Sequence, residues 1–184
     1  MKQHINKVTA ATCYYQLRWL RQIRRRVGTE VTTQLVLTLV TSWLDYCNSV
    51  LAALPQSAIE SLQRVQNTAT RLIFNLGRCE HANMPCLIQL HGLPIRHRIT
   101  YKLCTLIHSV HIEKSPRYLA DIVQHTSSTV TRCGLRSLSE TTSYMYITPR
   151  LCAKFGERAF YFSGPASWNS LPAQLRAISH NKRF

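Results

Sequence analysis

Lys7, Arg18, Arg21 and Arg25 are the residues of this chain whose type and spacing point most directly to chemistry. Laid on a helix at about 100° per residue over the first 26 positions, they fall in a stripe about 60° wide, with Arg24 beside it. No acid stands between Met1 and Val27. A row of cationic heads without counter-charge suits a sugar-phosphate strand, because each neutralised phosphate releases condensed counterions. A solvated helix face is the other ordinary role of such a run. Arg64 and Arg71, one heptad apart, share a face of a later helix and complete the candidate nucleic-acid-binding set.

The whole chain has the same bias. Its 184 residues carry 23 Lys and Arg against 8 acids, a formal charge of +15. Nine basic and three acidic residues lie in 1–76, and fourteen and five in 77–184. The acids are scattered, the closest pair being Glu113 and Asp121. Metal-dependent polymerase or nuclease chemistry needs clustered carboxylates, so the composition predicts a chain that holds a polyanion without cutting or copying it. Cys79, His81, Cys86 and His91 are of zinc-binding types, but their spacing fits no finger or knuckle, and ordinary thiols and imidazoles are the plainer reading. No third group suggests itself to orient a Cys–His nucleophile pair. Seven Cys form an odd set without a regular framework, and no apolar leader opens the chain, which points to free thiols in an intracellular compartment, nuclear or cytoplasmic, not to a secreted protein. No apolar run is long enough to span a bilayer, so no membrane partner is expected.

The elements that must position these residues read as mainly α. In the first helix Ile5, Val8, Thr12, Tyr15, Trp19 and Ile23 fall on the face opposite the basic stripe, and Gly28 ends it with Thr29 as the next N-cap. Residues 30–54 have strand-favouring Val and Thr but no Gly or Pro, and predict a buried helix with Val31, Leu35, Leu39, Tyr46, Val50 and Leu54 inward. After Pro55, Ser57 to Glu60 reads as a capping box, an apolar stripe runs from Ile59 to Leu76, and Gly77 takes the left-handed closing position. Residues 1–77 thus form a three-helix bundle. Over 78–125 short helices follow, near Pro85, from Ile95 to Val110 and after Pro116. Residues 126–148 form a linker, with ten Ser or Thr among the eighteen positions 126–143. The segment 149–184 combines a basic ladder of Arg150, Lys154 and Arg158 with a short aromatic strand or turn at Phe160–Phe162, a turn at Ser163-Gly164-Pro165 and a last short helix. The aromatics Tyr14, Tyr15, Phe160–Phe162 and Trp168 read as core packing more readily than as base-stacking groups.

Four strings carry a resemblance. Val40 to Ser49 reads VTSWLDYCNS, and Leu62 to Asn67 reads LQRVQN, followed by Ala69 and Arg71-Leu72. Leu90 to Pro94 reads LHGLP and continues to Tyr101-Lys102-Leu103-Cys104. Lys154 to Phe160 reads KFGERAF, ahead of Gly164-Pro165 and Trp168 to Pro172, WNSLP. In this order they resemble the C-terminal part of LINE-type (non-LTR) retrotransposon polyproteins of the Jockey and chicken-repeat group. The resemblance implies that 1–77 is the thumb of a reverse transcriptase, which closes on template and primer, and that the rest is the post-thumb region. It implies RNA-directed DNA polymerase activity in the parent, run by a palm that precedes this region and holds two magnesium ions. The paired Asp of a Tyr-x-Asp-Asp loop is absent here, and Asp45 inside Leu-Asp-Tyr does not replace it. The chain is therefore expected to be no enzyme by itself, to need no cofactor, and to have nucleic acid and the missing palm as partners. The alternative is a degenerate remnant or a protein-interaction module with no nucleic-acid role. Trp43 stands where the group usually has Arg, and Gly92 where it usually has Trp, so a hole or a flexible joint is expected at 92.

Overall fold

Three residues set four and then three positions apart, Cys13, Leu17 and Leu20, bury the inner face of the first long helix, α1 (Ala11–Val36). They belong to a computed structural model that describes residues 3, 5, 11–77, 84–90, 92–126 and 144–178. The protein is mainly α, and among the described residues the one strand-like feature is an isolated antiparallel bridge between His125 and Tyr146. The chain divides into two units, Met1–Ile99 and Thr100–Phe184. No helix among the described residues is long and apolar enough to cross a membrane.

In the first unit the helical run of α1 breaks at Gly28, whose backbone is non-helical at φ 79° and ψ 175°. A side chain at that φ would be strained, so glycine suits the break, and the first helical stretch ends there as expected before a second continues to Val36. A π-helical turn, Leu37–Thr41, and a short α2 (Ser42–Asp45) continue the rod. Thr32, Val36, Val40 and Leu44 are all buried, a strict spacing of four. Four residues overshoot an α-turn of 3.6 residues, so this row would drift around the rod. The wider π turn brings it back. Threonine and serine hydroxyls bonded to carbonyls one turn back, such as Thr32 to Gly28 at 2.6 Å and Ser42 to Thr38, fit a strand-favouring composition into a helix. The expected inward face was one residue out of register: Val31, Leu39, Tyr46 and Val50 are exposed. The rod also stops earlier than residue 54, where Cys47 turns left-handed at φ 52° and leads into a 3-10 turn, Asn48–Leu51.

Helix α3 (Gln56–Phe74) packs on α1 and buries Ile59, Leu62, Val65, Ala69, Leu72 and Ile73. Two expectations at its ends are corrected. Pro55 is the N-cap and Ser57 already lies inside the first turn, so no capping box forms. At the other end Asn75, at φ 57°, takes the left-handed position expected of Gly77, and Leu76 N closes on Arg71 O at 3.0 Å. Asn tolerates that conformation because its side chain is short and polar. The short helix α4 (Met84–Gln89) follows.

A polar clasp then secures the start of α5 (Ile95–His111). Gln63 accepts from Ile95 N at 3.0 Å, Gln66 donates to Leu93 O at 2.8 Å, and Arg98 Nε donates to the same carbonyl at 2.8 Å. Arg98 Nη1 also pairs with Asp45 at 2.7 Å. Beside this clasp Gly92 lines a small cavity of about 30 Å³, with Leu44, Gln66, Ala69, Ile73 and Leu87 among its other walls.

The second unit is built on the remainder of α5. Cys104, Ile107, Val123, Tyr146 and Trp168 form its core. Helix α6 (Arg117–Ala120) follows Pro116 as expected. Trp168 and Asn169, on α7 (Phe160–Asn169), hold the extended segment 144–146. The indole N–H donates to Tyr144 O at 2.8 Å, and the Asn169 amide accepts from Tyr146 N at 3.1 Å and donates to Tyr146 O at 2.7 Å. Trp168 is therefore a core residue. Phe160–Phe162 and Gly164-Pro165 are not strand and turn but successive residues of α7. A Cβ on Gly164 would stand 2.9 Å from Ile107 Cδ1, so glycine allows the close approach, and burial of Ser163 to Pro165 removes the amphipathic period that marks a surface helix. The basic ladder does not form, because only Gly156–Arg158 of its span is helical, as a 3-10 turn. A four-residue helix α8 (Ala173–Arg176) follows Pro172. Thr126 aside, the Ser/Thr-rich stretch 126–143 lies outside the described residues.

His111 sits among aromatic rings, 5.5 Å from Tyr144, 6.1 Å from Trp168 and 6.2 Å from His125 between centroids. Burial, then the neighbouring His125 and His108, lower its pKa, and burial lowers that of His125. Burial pushes the Tyr146 phenol up to about 12. A histidine kept neutral by the fold binds fewer protons folded than unfolded, so stability is full above its ordinary value of 6.5 and declines as pH falls below it. Thermal unfolding followed by circular dichroism should show Tm falling from pH 7 to pH 5, and His111→Gln should flatten that slope. The two glycines predict opposite outcomes. Gly164→Ala should cost about 1–3 kcal/mol by overpacking. Gly92→Ala meets its neighbours at 3.5 Å or beyond and should stabilise by about 0.4–1 kcal/mol through the unfolded chain.

Candidate nucleic-acid interface

Four arginines from two helices surround one groove. Arg21, Arg24 and Arg25 reach it from α1 and Arg71 from the last turn of α3, with Gln22 and Asn75 beside them, around a volume of about 460 Å³. No acid is among the described residues that line it. The packing of α1 on α3 creates this arrangement. Arg24 lies on the inner side of α1, close in angle to Cys13, Leu17 and Leu20, and donates from Nη2 to Ile73 O at 3.0 Å. Ile73 belongs to the last turn of α3, where carbonyls lack amide partners and the helix dipole is negative. The Arg24 guanidinium caps that end and sets Arg71 next to Arg21 and Arg25.

Two of the lining arginines each have a buried donor without a partner. Arg24 Nε and Arg71 Nε are both buried without a hydrogen bond. An unmade bond from such a group costs about 1–3 kcal/mol, so these arginines are held in the lining at a cost. Guanidinium groups suit an anionic ligand because their planar forks match phosphate oxygens.

The candidate residues divide accordingly. Arg18, Arg21 and Arg25 are exposed along one side of α1, as the sequence predicts. Arg24 is half-buried and acts at the helix end, and Arg71 lines the groove. Arg64 is exposed two turns earlier on α3 and does not line it. Lys7 lies outside the described residues. The expected apolar face of this helix is corrected in part: Ile5 is buried as expected, but Tyr15, Trp19 and Ile23 are exposed, and so is Tyr14. At about 100° per residue, Tyr14 and Ile23 stand about a quarter turn, and Tyr15 and Trp19 a third to a half turn, from the centre of the buried Cys13–Leu17–Leu20 row. Arg26, also exposed, lies among them. The signal for the true core was the run Cys13, Leu17, Leu20, less hydrophobic in appearance than its aromatic rival.

The zinc-type set is not brought together within the described residues: Cys79, His81 and His91 lie outside them, and Cys86 is half-buried on α4. Among the described residues no three His, Cys, Asp or Glu converge on a point that could hold a metal ion. The five described cysteines, Cys13, Cys47, Cys86, Cys104 and Cys152, are free. Burial pushes the thiols of Cys13 and Cys104 up to about 11, which makes them inert packing groups. Compared with protein-family profiles, curated proteins and solved structures, the chain finds no match.

Proposed function

We propose that this chain binds nucleic acid through its phosphates, as the thumb and post-thumb part of a LINE-type reverse transcriptase whose polymerase palm lies elsewhere. The observation that carries the binding is the convergence of Arg21, Arg24, Arg25 and Arg71 on one groove, with two buried Nε–H donors unpartnered. The four ordered strings from Val40 to Pro172 support the family assignment. Recognition is electrostatic and not base-specific, since the groove presents charge and planar donors. The part played by the chain is to grip a strand that another module processes, and it supplies no catalytic group.

A second reading, a protein-interaction module, has one observation in its favour. Leu37, Leu39, Trp43, Tyr46 and Val50 are exposed within fourteen residues of the first unit, and exposed apolar clusters mark contact surfaces. On the first reading the missing palm is the natural occupant of this patch. The two readings are compatible, but only the first requires the arginines.

Log affinity for an oligonucleotide should fall with log salt at a slope of about −3 to −4, as four neutralised phosphates require. Fluorescence anisotropy from 50 to 300 mM salt reads that slope. The triple variant Arg18→Glu, Arg21→Glu, Arg25→Glu should bind at least several-fold more weakly and flatten the slope, with its helical circular dichroism intact. The triple variant Lys102→Glu, Lys114→Glu, Arg117→Glu, at exposed positions outside the groove lining, controls for net charge. A slope near zero, or equal losses in the triple variant and the control, would remove the groove from the binding surface.

A further inference from the structure

The outer face of α1 holds aromatic rings that phosphate binding alone does not use. Tyr15 is 59% and Trp19 53% exposed, and their rings stand edge to face with centroids 6.4 Å apart. Tyr14 is exposed one residue earlier. These rings are not the leftover edge of a core, because Cys13, Leu17 and Leu20 already bury the inner face of the helix. One turn separates Tyr15 from Trp19, a rise of about 6 Å at 1.5 Å per residue. Arg18 lies between them in sequence, Arg21 and Arg25 continue on one flank, and Arg26 follows in line with the rings about two turns on.

We infer that this face of α1 is a stacking platform for single-stranded nucleic acid, with Tyr15 and Trp19 receiving unstacked bases while Arg18, Arg21 and Arg25 hold the adjoining phosphates. The inference rests on the proposed nucleic-acid binding and goes beyond it by naming the class of strand. Its physical basis is a mismatch between this surface and a duplex. In a duplex the base faces are stacked on one another and only the phosphates face outward, so arginines would suffice and the rings would stay in water. A single strand offers both groups, and every base has a face that can stack on an aromatic ring whatever its sequence. The charge favours a polyanionic occupant: Arg18, Arg21 and Arg25 are exposed on one flank of the rings and Arg26 in line with them, and no acid precedes Glu30. The guanidinium groups strengthen the same contact, since a cation beside a stacked ring pair is attracted to the ring faces. The rings and the groove lie on the same helix, so a strand leaving the groove past Arg21 and Arg25 meets Arg18, Tyr15 and Trp19 within two turns.

The test uses the full chain and three probes at one salt concentration: a labelled oligothymidylate of about twelve residues, a hairpin duplex of similar charge, and vesicles with anionic phospholipid. The single strand should bind about tenfold tighter than the duplex and quench tryptophan emission. Trp19→Ala and Tyr15→Ala should each weaken single-strand binding by about tenfold and leave duplex binding within about twofold, the range expected for removing one stacking partner. Both side chains are exposed, so the variants should keep the parental Tm, which circular dichroism checks. Trp43→Phe, on the π-to-α2 stretch, should leave the quenching in place. Equal losses for single strand and duplex, or none for either, overturn the platform and leave phosphate binding standing. Vesicle binding that depends on Trp19 while the oligothymidylate does not bind overturns it in favour of a membrane-surface helix. A salt slope near zero removes the underlying nucleic-acid reading itself.

Discussion

The hydrogen bond from Arg24 Nη2 to the Ile73 carbonyl joins scaffold and surface. It crosses from the inner side of α1 to the last turn of α3 and ties two helices whose apolar rows already pack together. A carbonyl at a helix end needs a donor, and the local dipole favours a cation. Satisfying that end with a guanidinium places three further guanidinium groups within reach of one groove. A Leu at position 24 would have packed the interface as well and left the groove without its pivot. The arginine-lined groove thus forms where α3 is capped, at the α1–α3 contact.

How far this was legible from sequence depends on which physical signal each element carries. Helix type and order were readable from period and breakers, as at Pro55, Pro116 and Pro172. The inward face of α1 was not, because the helix has two apolar rows. Tyr15, Trp19 and Ile23 look more hydrophobic than Cys13, Leu17 and Leu20, yet Cys and Leu fit a close helix contact and large aromatics do not. The next stretch failed for a related reason. Its buried row starts at Thr32, a polar type whose hydroxyl is bonded to Gly28 O, and a π turn keeps a four-residue period that an α-helix would lose. At α7 the glycine and proline that signal a turn are instead buried helix positions, and only the closeness of Ile107, whose Cδ1 lies 2.9 Å from where a Cβ on Gly164 would stand, reveals why. Among the candidate arginines, exposure of Arg18, Arg21 and Arg25 followed from the absence of neighbouring acids, whereas the role of Arg24 required knowing where α3 ends.

The strings that carry the family resemblance do structural work in this chain. Asp45 pairs with Arg98, Gln63 and Gln66 hold the entry to α5, and Trp168 and Asn169 hold the segment 144–146. Most of these bonds connect a side chain to a backbone group that lacks a partner in regular structure. That is the expected use of a buried amide or indole N–H, since an unpaired backbone group inside a protein is costly. Residue types that suggest chemistry in a linear motif are here the means by which irregular connections are fixed. Gly92 marks the same logic from the other side: it lies next to the clasp and lines a cavity that a larger residue would fill.

A chain with this charge has to tolerate its own repulsion before any ligand arrives. Four guanidinium groups around one groove repel each other, and the described lining contains no acid to offset them. Part of the compensation comes from the carbonyl end of α3, where Arg24 is bonded and Arg71 occupies the last turn. The rest is supplied by water and counterions, which a bound strand would displace. Any ligand that binds only the folded form stabilises it by mass action, so on the proposed reading a polyanion would take over from water and counterions the part of the compensation that the helix end leaves. The fold can sustain the repulsion because the stabilising contacts lie elsewhere, in the apolar rows of α1 and α3 and in the clasp at α5. Arg24 serves both ends, but the other groove arginines are not needed to hold the apolar rows together, so the groove stays cationic with no acid in its described lining.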